Sequence, residues 1–519
     1  MGFVDDNEEI AEGLTLQEAT IAELGAAMAA GRLTSAALVA RYAARIERLN
    51  GRGPTLRAVI EVNPDAADIA ELLDRERRER GPRGPLHGIP VLLKDNIDTH
   101  DRMQTTAGSL ALAGEPPPHD ATVTTRLRDA GAVILGKANL SEWANFRSTH
   151  SSSGWSGRGG QCRNPYLLDR SPCGSSSGSA VAVSANLCAA ALGTETDGSI
   201  VCPSSASGVV GIKPTVGLTS RAGVVPVSHN QDTVGPHGRT VADAAAVLAA
   251  LVGVDPRDPA TTASAGRFST DHSAALGPDG LRGARIGVAR TTGFGTDPKV
   301  DSIMEDAIRA LRDAGAAVVD PADIPTQSQL GGRNELTVLL HDFKHDLNVY
   351  LASRTGVPVG SLAGAIEFNR AHAAEELAWF GQERFELAEE TGGLNDPNYV
   401  EALAQGHLLS RQHGIDAVLN AHALDALVAP TGGPAWMIDL VDGDHYSTSS
   451  STPAAQAGYP IVTVPAGFTF GLPVNVSFIG RAFSETTLIR LAYAFEQATR
   501  ARRRPEFLPG LDLPAGTAG

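Results

Sequence analysis

Three consecutive serines, Ser175, Ser176 and Ser177, lie between Gly174 and Gly178. The five residues fit the G-x-S-x-G nucleophile elbow, in which Ser176 would attack. An elbow needs a strand running straight into its first glycine. The residues before it, RNPYLLDRSPC (163–173), hold two prolines and two arginines and make a poor buried strand. A second serine stands in GTETDGSIVCP (193–203), where an apolar run ends in small and polar residues. Loops after strands open where α/β sheets bind ligands. Gly198 there lets successive N–H groups converge on one point, as an oxyanion requires, although a plain turn carrying Ser199 fits the same residues. A third stretch, PVLLKDNID (90–98), runs three apolar residues into Lys94. Such a lysine either pairs with a carboxylate, here Asp95 or Asp98, or loses its proton to burial and becomes a general base.

The elements that must position these residues read as an alternation. Leu38, Val39, Tyr42, Ile46 and Leu49 recur at helical spacing after Thr34 or Ser35, and a second helix runs from Asn63-Pro64 to Gly81. LRAVIEV (56–62), GIPVLLK (88–94), GAVILGK (131–137) and CAAALGTE (188–195) read as strands. ARIGVA (284–289), DALVAP (425–430), PIVTVP (460–465) and PVNVSFIG (473–480) continue the pattern. A helix is expected near 120–130, and GSAVAVSAN (178–186) reads as a helix of small residues. Strands separated by helices imply an α/β fold with a twisted mixed, mostly parallel sheet covered by helices on both faces. No linker divides the chain, so residues 1–519 are expected as a single large domain. Its parts are a helical lead-in (14–82), a segment holding the motifs (85–255) and a helical insertion or cap at about 325–415.

Together the three stretches resemble the amidase-signature family of serine hydrolases. Gly88-Ile-Pro-Val-Leu-Leu-Lys94-Asp95 matches its G-[IV]-P-x-x-x-K-D motif. Cys173-Gly-Ser-Ser-Ser-Gly178 matches its glycine/serine loop, and Gly193 to Val201 matches G-T-D-x-G-G-S-[IV]-R. The first loop serine and the family nucleophile are 24 positions apart, and here 199 − 175 = 24. The resemblance implies that Ser199 attacks an amide carbonyl and that Ser175, after a cis peptide from Gly174, relays protons to a neutral Lys94. It implies an oxyanion hole of the backbone N–H groups of Thr196, Asp197, Gly198 and Ser199, with Ser176 helping to hold Lys94. Departures are Cys173, Ser177 and Asp197 in place of glycines and Val201 in place of arginine. Segments such as LSEWANFR (140–147) and SGWSGRGGQCRNPY (153–166) are most similar to the peptide amidase branch, which releases ammonia from C-terminal carboxamides without a cofactor. A broader aryl or aliphatic amidase and the amidase component of a tRNA-dependent amidotransferase are the alternatives. The substrate implied is a small amide or peptide amide.

Composition sets the remaining bounds. With 43 basic and 59 acidic residues the net charge is −16, which gives no general attraction for nucleic acid or membrane. The acidic start MGFVDDNEEIAEG lacks signal-peptide features, and a cytoplasmic monomer or homodimer is expected. Four cysteines in a chain this long are expected as reduced thiols, with Cys173 and Cys202 packed as small residues. His341 and His345 stand at i,i+4, but without the H-E-x-x-H glutamate they read as an exposed helix face, so no metal is expected. Trp143, Phe146 and Trp436 could line a substrate cleft or pack in the core.

Overall fold

The structure, a computed structural model, describes residues 8–511. The apolar runs pair into one sheet of eleven strands. In chain order these are β1 (Val59–Val62), β2 (Pro90–Lys94), β3 (Val133–Ala138), β4 (Ala190–Glu195), β5 (Val210–Lys213) and β6 (Thr233–Gly238). They continue with β7 (Arg285–Val288), β8 (Ala317–Val319), β9 (Ala426–Pro430), β10 (Ile461–Thr469) and β11 (Leu472–Ile479). Across the sheet the order is β8-β7-β9-β11-β10-β5-β6-β4-β2-β3-β1. Parallel pairing holds two blocks, β8-β7-β9 and β4-β2-β3, while the strands between them and the β3–β1 edge pair antiparallel.

Why the runs are apolar throughout is clear from their burial. Every residue of β2, β3, β4, β5, β6, β9 and β11 is buried, so neither face of these strands meets water and an alternating pattern has no cause. Helices α1 (Ser35–Asn50), α2 (Ala66–Arg80) and α3 (Ser177–Ser184) share one hydrophobic core with β2, β3 and β4. A second core joins β5, β7 and β9–β11 to α5 (Val241–Leu251), α6 (Pro298–Asp313) and α8 (Glu485–Thr499), the intervening α4 being Val201–Ala206 and α7 Gly332–Ala352. Thr34 caps α1 by accepting from Ala37 N, and the apolar positions read at helical spacing are its buried face. Element ends move by up to four residues from their sequence-read limits, the largest shift being the end of β10 at Thr469.

Three strands of the sheet, β5, β6 and β8, were not expected. β5 and β6 complete the middle of the sheet, and β6 reads Thr-Val-Gly-Pro-His-Gly, a composition of turns. The helices between residues 327 and 410, α7 among them, lie over Phe146, Val225 and Val227 and give the cleft one wall. What matters most for the site is α3. Its Gly178 sits where a Cβ would come within 2.6 Å of Asn139 N and collide with Ala58 O. Only a glycine lets the helix descend that far, and this brings Ser175 and Ser176 down onto the ends of β2 and β4.

Candidate active site

Lys94 closes β2 with none of its surface exposed. Its Nζ donates to Thr194 Oγ1 at 2.8 Å and Thr194 O at 3.2 Å, and lies 2.8 Å from Ser175 Oγ. Among the described residues no carboxylate pairs with it, whereas Asp95 turns to Thr106 and Asp98 to Tyr350. Burial pushes the Lys94 ammonium down to about 7, against the weaker pull of the Asp232 and Glu195 charges.

Ser175 is fully buried and follows Gly174 through a cis peptide bond. A side chain at 174 would overlap Ser141 Oγ. Ser176 Oγ donates to Thr194 O at 3.0 Å and accepts from Thr194 N at 3.2 Å. The expectation that Ser176 holds Lys94 is therefore modified: it acts through Thr194, which touches both. Thr194 carries no nucleophile or base signature, and nothing in its residue type or spacing marks it as part of the site.

The loop from Thr196 to Ser199 is tied outward by its side chains. Thr196 Oγ1 donates to Asp232 at 2.6 Å, and the Asp197 carboxylate accepts from Ser451 Oγ and, at 2.8 Å, from Thr452 Oγ1. Buried Glu195 accepts from Ile200 N at 2.6 Å and Val201 N at 3.0 Å, closing the loop onto α4. Gly198 has φ +81°, a conformation glycine adopts without strain. Among the described residues, the backbone amides of Thr196, Asp197, Gly198 and Ser199 donate to no protein acceptor. Ser176 N donates to Ser199 O at 3.1 Å, joining the two serine segments. Ser199 lines a cleft of about 680 Å³ with Gly174 and the 196–198 loop.

Three expectations are corrected. Cys173 and Cys202 are not packed thiols but a disulfide with Cα atoms 6.0 Å apart, a second tie between the serine segments. The reason is spatial: one cysteine precedes Ser175 and the other follows Ser199, so bringing the serines together brings the sulfurs together. Cys162 and Cys188 are free and buried. Trp143 does not line the cleft, whereas Phe146 and Trp436 do. Residues 143–145 all have positive φ, and this reversal sends Trp143 into the core against Phe385, with ring centroids 5.5 Å apart. His341 is buried, its Nδ1 bonded to Thr337 O at 2.8 Å, so it does not lie on an exposed face.

Comparison with known proteins accords with this arrangement. The profile of the Amidase family matches residues 37–489. The chain belongs to the amidase family. It is 46% identical over 502 residues to an Arabidopsis thaliana protein named a probable amidase, covering 95% of this chain and 92% of that one. It is 37% identical over 474 residues to a glutamyl-tRNA(Gln) amidotransferase component of Moorella thermoacetica, covering 89% and 93%. The crystal structure of peptide amidase from Stenotrophomonas maltophilia superposes with TM-score 0.91 and 54% identity over 95% of this chain and 99% of that one.

The protein is thus an amidase, a hydrolase acting on amides. No helix among its described residues is long and apolar enough to cross a membrane. Phe146, Leu336, Leu339, Trp436 and Tyr446 give a mostly polar cleft its apolar and aromatic patches, and Asp197, Glu335, Arg384 and Asp444 add charge. Burial, reinforced by the neighbouring Asp197 charge, pushes the Glu335 carboxyl well above the usual carboxylate range. In the denatured, unreduced amidase a thiol-alkylating reagent should add to two cysteines, and to four after reduction. Four without reduction would show that the Cys173–Cys202 bond does not form.

Proposed function

We propose that this amidase hydrolyses carboxamide C–N bonds through Ser199, Ser175 and Lys94, and that its substrates are peptides with a C-terminal carboxamide. The observation that carries the proposal is the buried Lys94 amine 2.8 Å from Ser175 Oγ, with its proton affinity brought down to about 7. A neutral amine has two N–H bonds and one lone pair. Thr194 O and Thr194 Oγ1 take the two N–H groups, which leaves the lone pair for the Ser175 hydroxyl proton. Ser175 can then accept the Ser199 proton as Ser199 Oγ bonds to the carbonyl carbon. The unengaged amides of residues 196–199 suit the resulting oxyanion, where preorganised donors are worth most. Collapse breaks the C–N bond, and the Lys94 proton returns through Ser175 to the leaving nitrogen, releasing ammonia. Water activated by the same relay cleaves the acyl-Ser199 ester to a carboxylate. The relay uses side chains of this chain alone.

The aromatic and apolar patches of the cleft and the 54% identity to a peptide amidase support the peptide-amide reading. Ammonia release from peptide amides, amino acid amides and aryl amides tests both halves of the proposal. Peptide amides should be favoured at least about tenfold in kcat/KM, a difference of ~1.4 kcal/mol. A preference for aryl amides would overturn the substrate class, and activity only with added partner chains would favour an amidotransferase component. Ser199→Ala should lose at least about 10⁴-fold, Lys94→Ala and Ser175→Ala about 10³-fold or more, and Ser176→Ala about tenfold. Full activity in Ser199→Ala with loss in Ser176→Ala would contradict the assignment.

The pH dependence follows from the sign of the shift. Lys94 serves as base only when unprotonated, so kcat/KM should level off above its value of about 7 and fall about tenfold per unit below it. A flat profile between pH 5 and 8, with folded protein throughout, would exclude Lys94 as the base.

A further inference from the structure

On the side of α7 near the loop 226–232, two imidazoles converge on one carboxylate. His229 Nδ1 lies 2.9 and 3.1 Å from the Asp346 oxygens, and His345 Nδ1 lies 2.8 Å from Asp346 Oδ1. One ligand atom from each of the three residues falls within 4.8 Å of the others. Behind them stands Asp342, whose side chain is fully buried and whose Oδ1 is 3.6 Å from His229 Nδ1. That oxygen has no hydrogen-bond partner among the described residues. The other oxygen, Oδ2, accepts from Ser228 Oγ at 2.5 Å and Asn230 Nδ2 at 2.9 Å, which fixes the carboxylate's direction.

We propose that His229, His345 and Asp346, backed by the buried carboxylate of Asp342, form a site for a divalent transition ion of the zinc class. Two imidazole nitrogens with carboxylate oxygens are the ligand types such ions select. Zinc bonds of about 2.0–2.1 Å in tetrahedral geometry put neighbouring ligand atoms roughly 3.3 Å apart, and the two imidazole nitrogens stand 2.8 to 3.1 Å from the Asp346 oxygens. The ion replaces the protons that the imidazoles share with Asp346. Ser228 and Asn230 are the outer partners that orient Asp342, as metal sites require. His229, His345 and Asp346 also line a cavity of about 430 Å³, which gives the ion an access path.

The site joins two elements of the cleft. His229 belongs to the loop whose Gln231 donates to Glu335 at 2.9 Å and to Thr196 O at 3.3 Å, and whose Asp232 accepts from Thr196. The other two ligands, His345 and Asp346, are on α7, which also carries Asp342 and Glu335. A bound ion clamps this loop to the helix. His341, one turn earlier and bonded to Thr337 O, takes no part.

Isothermal titration of chelator-stripped full-length protein with ZnCl₂ tests the proposal, with CaCl₂ as the hard-ion comparison and circular dichroism to verify folding. The expected result is one equivalent of Zn²⁺ bound and no Ca²⁺. Affinity should fall at least about tenfold in His345→Ala and in Asp346→Asn, and should be unchanged in His341→Ala. Absence of Zn²⁺ binding, or equal affinity in wild type and both ligand variants, would overturn it.

Discussion

An ammonium cannot be left unpaired in a protein interior, because the cost of stripping its water exceeds what neutral oxygens return. Lys94 is placed in that position, and the group responds by giving up its proton near neutral pH. Lys213 is equally buried, donates to the carbonyl oxygens of Pro214 and Tyr459, and has its ammonium lowered by burial as well. What Lys94 has in addition is a serine hydroxyl, Ser175 Oγ, at 2.8 Å. Around Lys94 the fold supplies hydroxyl and carbonyl oxygens at bonding distance and keeps carboxylates beyond it. That choice turns a structural liability into a base.

The rest of the molecule keeps the arrangement in place. Parallel pairing of β2 with β4 sets Leu93 beside Leu192, so Lys94 ends level with the start of the 193–199 segment. Thr194 then holds both Lys94 and Ser176, its carbonyl oxygen accepting from each. The disulfide and the Ser176–Ser199 backbone bond tie the two serine segments at separate points. On a chain-entropy account, closing a loop of 29 residues is worth about 3–4 kcal/mol. Rigidity of this kind suits a relay, since proton transfer fails when heavy atoms drift beyond hydrogen-bond reach.

How much of this was legible in the sequence depended on whether the signal was local. Strands buried on both faces write themselves as short apolar runs, and those around Lys94, Thr194 and Ala426–Pro430 could be read directly. β6 could not. Pro236 sits opposite Leu192 in the sheet interior, and Gly235 is required because a Cβ would strike Ile212 O, so tertiary packing overrides a turn-like composition. The candidate site divides the same way. Lys94, Ser175 and Ser199 stood out by residue type and spacing, while Thr194 was hidden because its role is to touch two other residues. The disulfide left a trace that pointed the other way only in isolation: its cysteines flank the very serines whose meeting was expected. His229 is remote in sequence from His345, and only the fold shows that they share Asp346. Trp143 stayed undecided between cleft and core because three successive left-handed residues reverse the chain without a glycine to announce it.

The protonation state of Lys94 is the claim on which the account stands, and it can be observed directly. The chain has only five lysines, Lys94, Lys137, Lys213, Lys299 and Lys344, so their ¹³Cε resonances can be resolved and the Lys94 signal assigned by its loss in Lys94→Ala. The account predicts that Lys94 titrates with a midpoint near 7 in the folded enzyme. A Lys94 signal that stays in the ammonium form beyond pH 9 would contradict it.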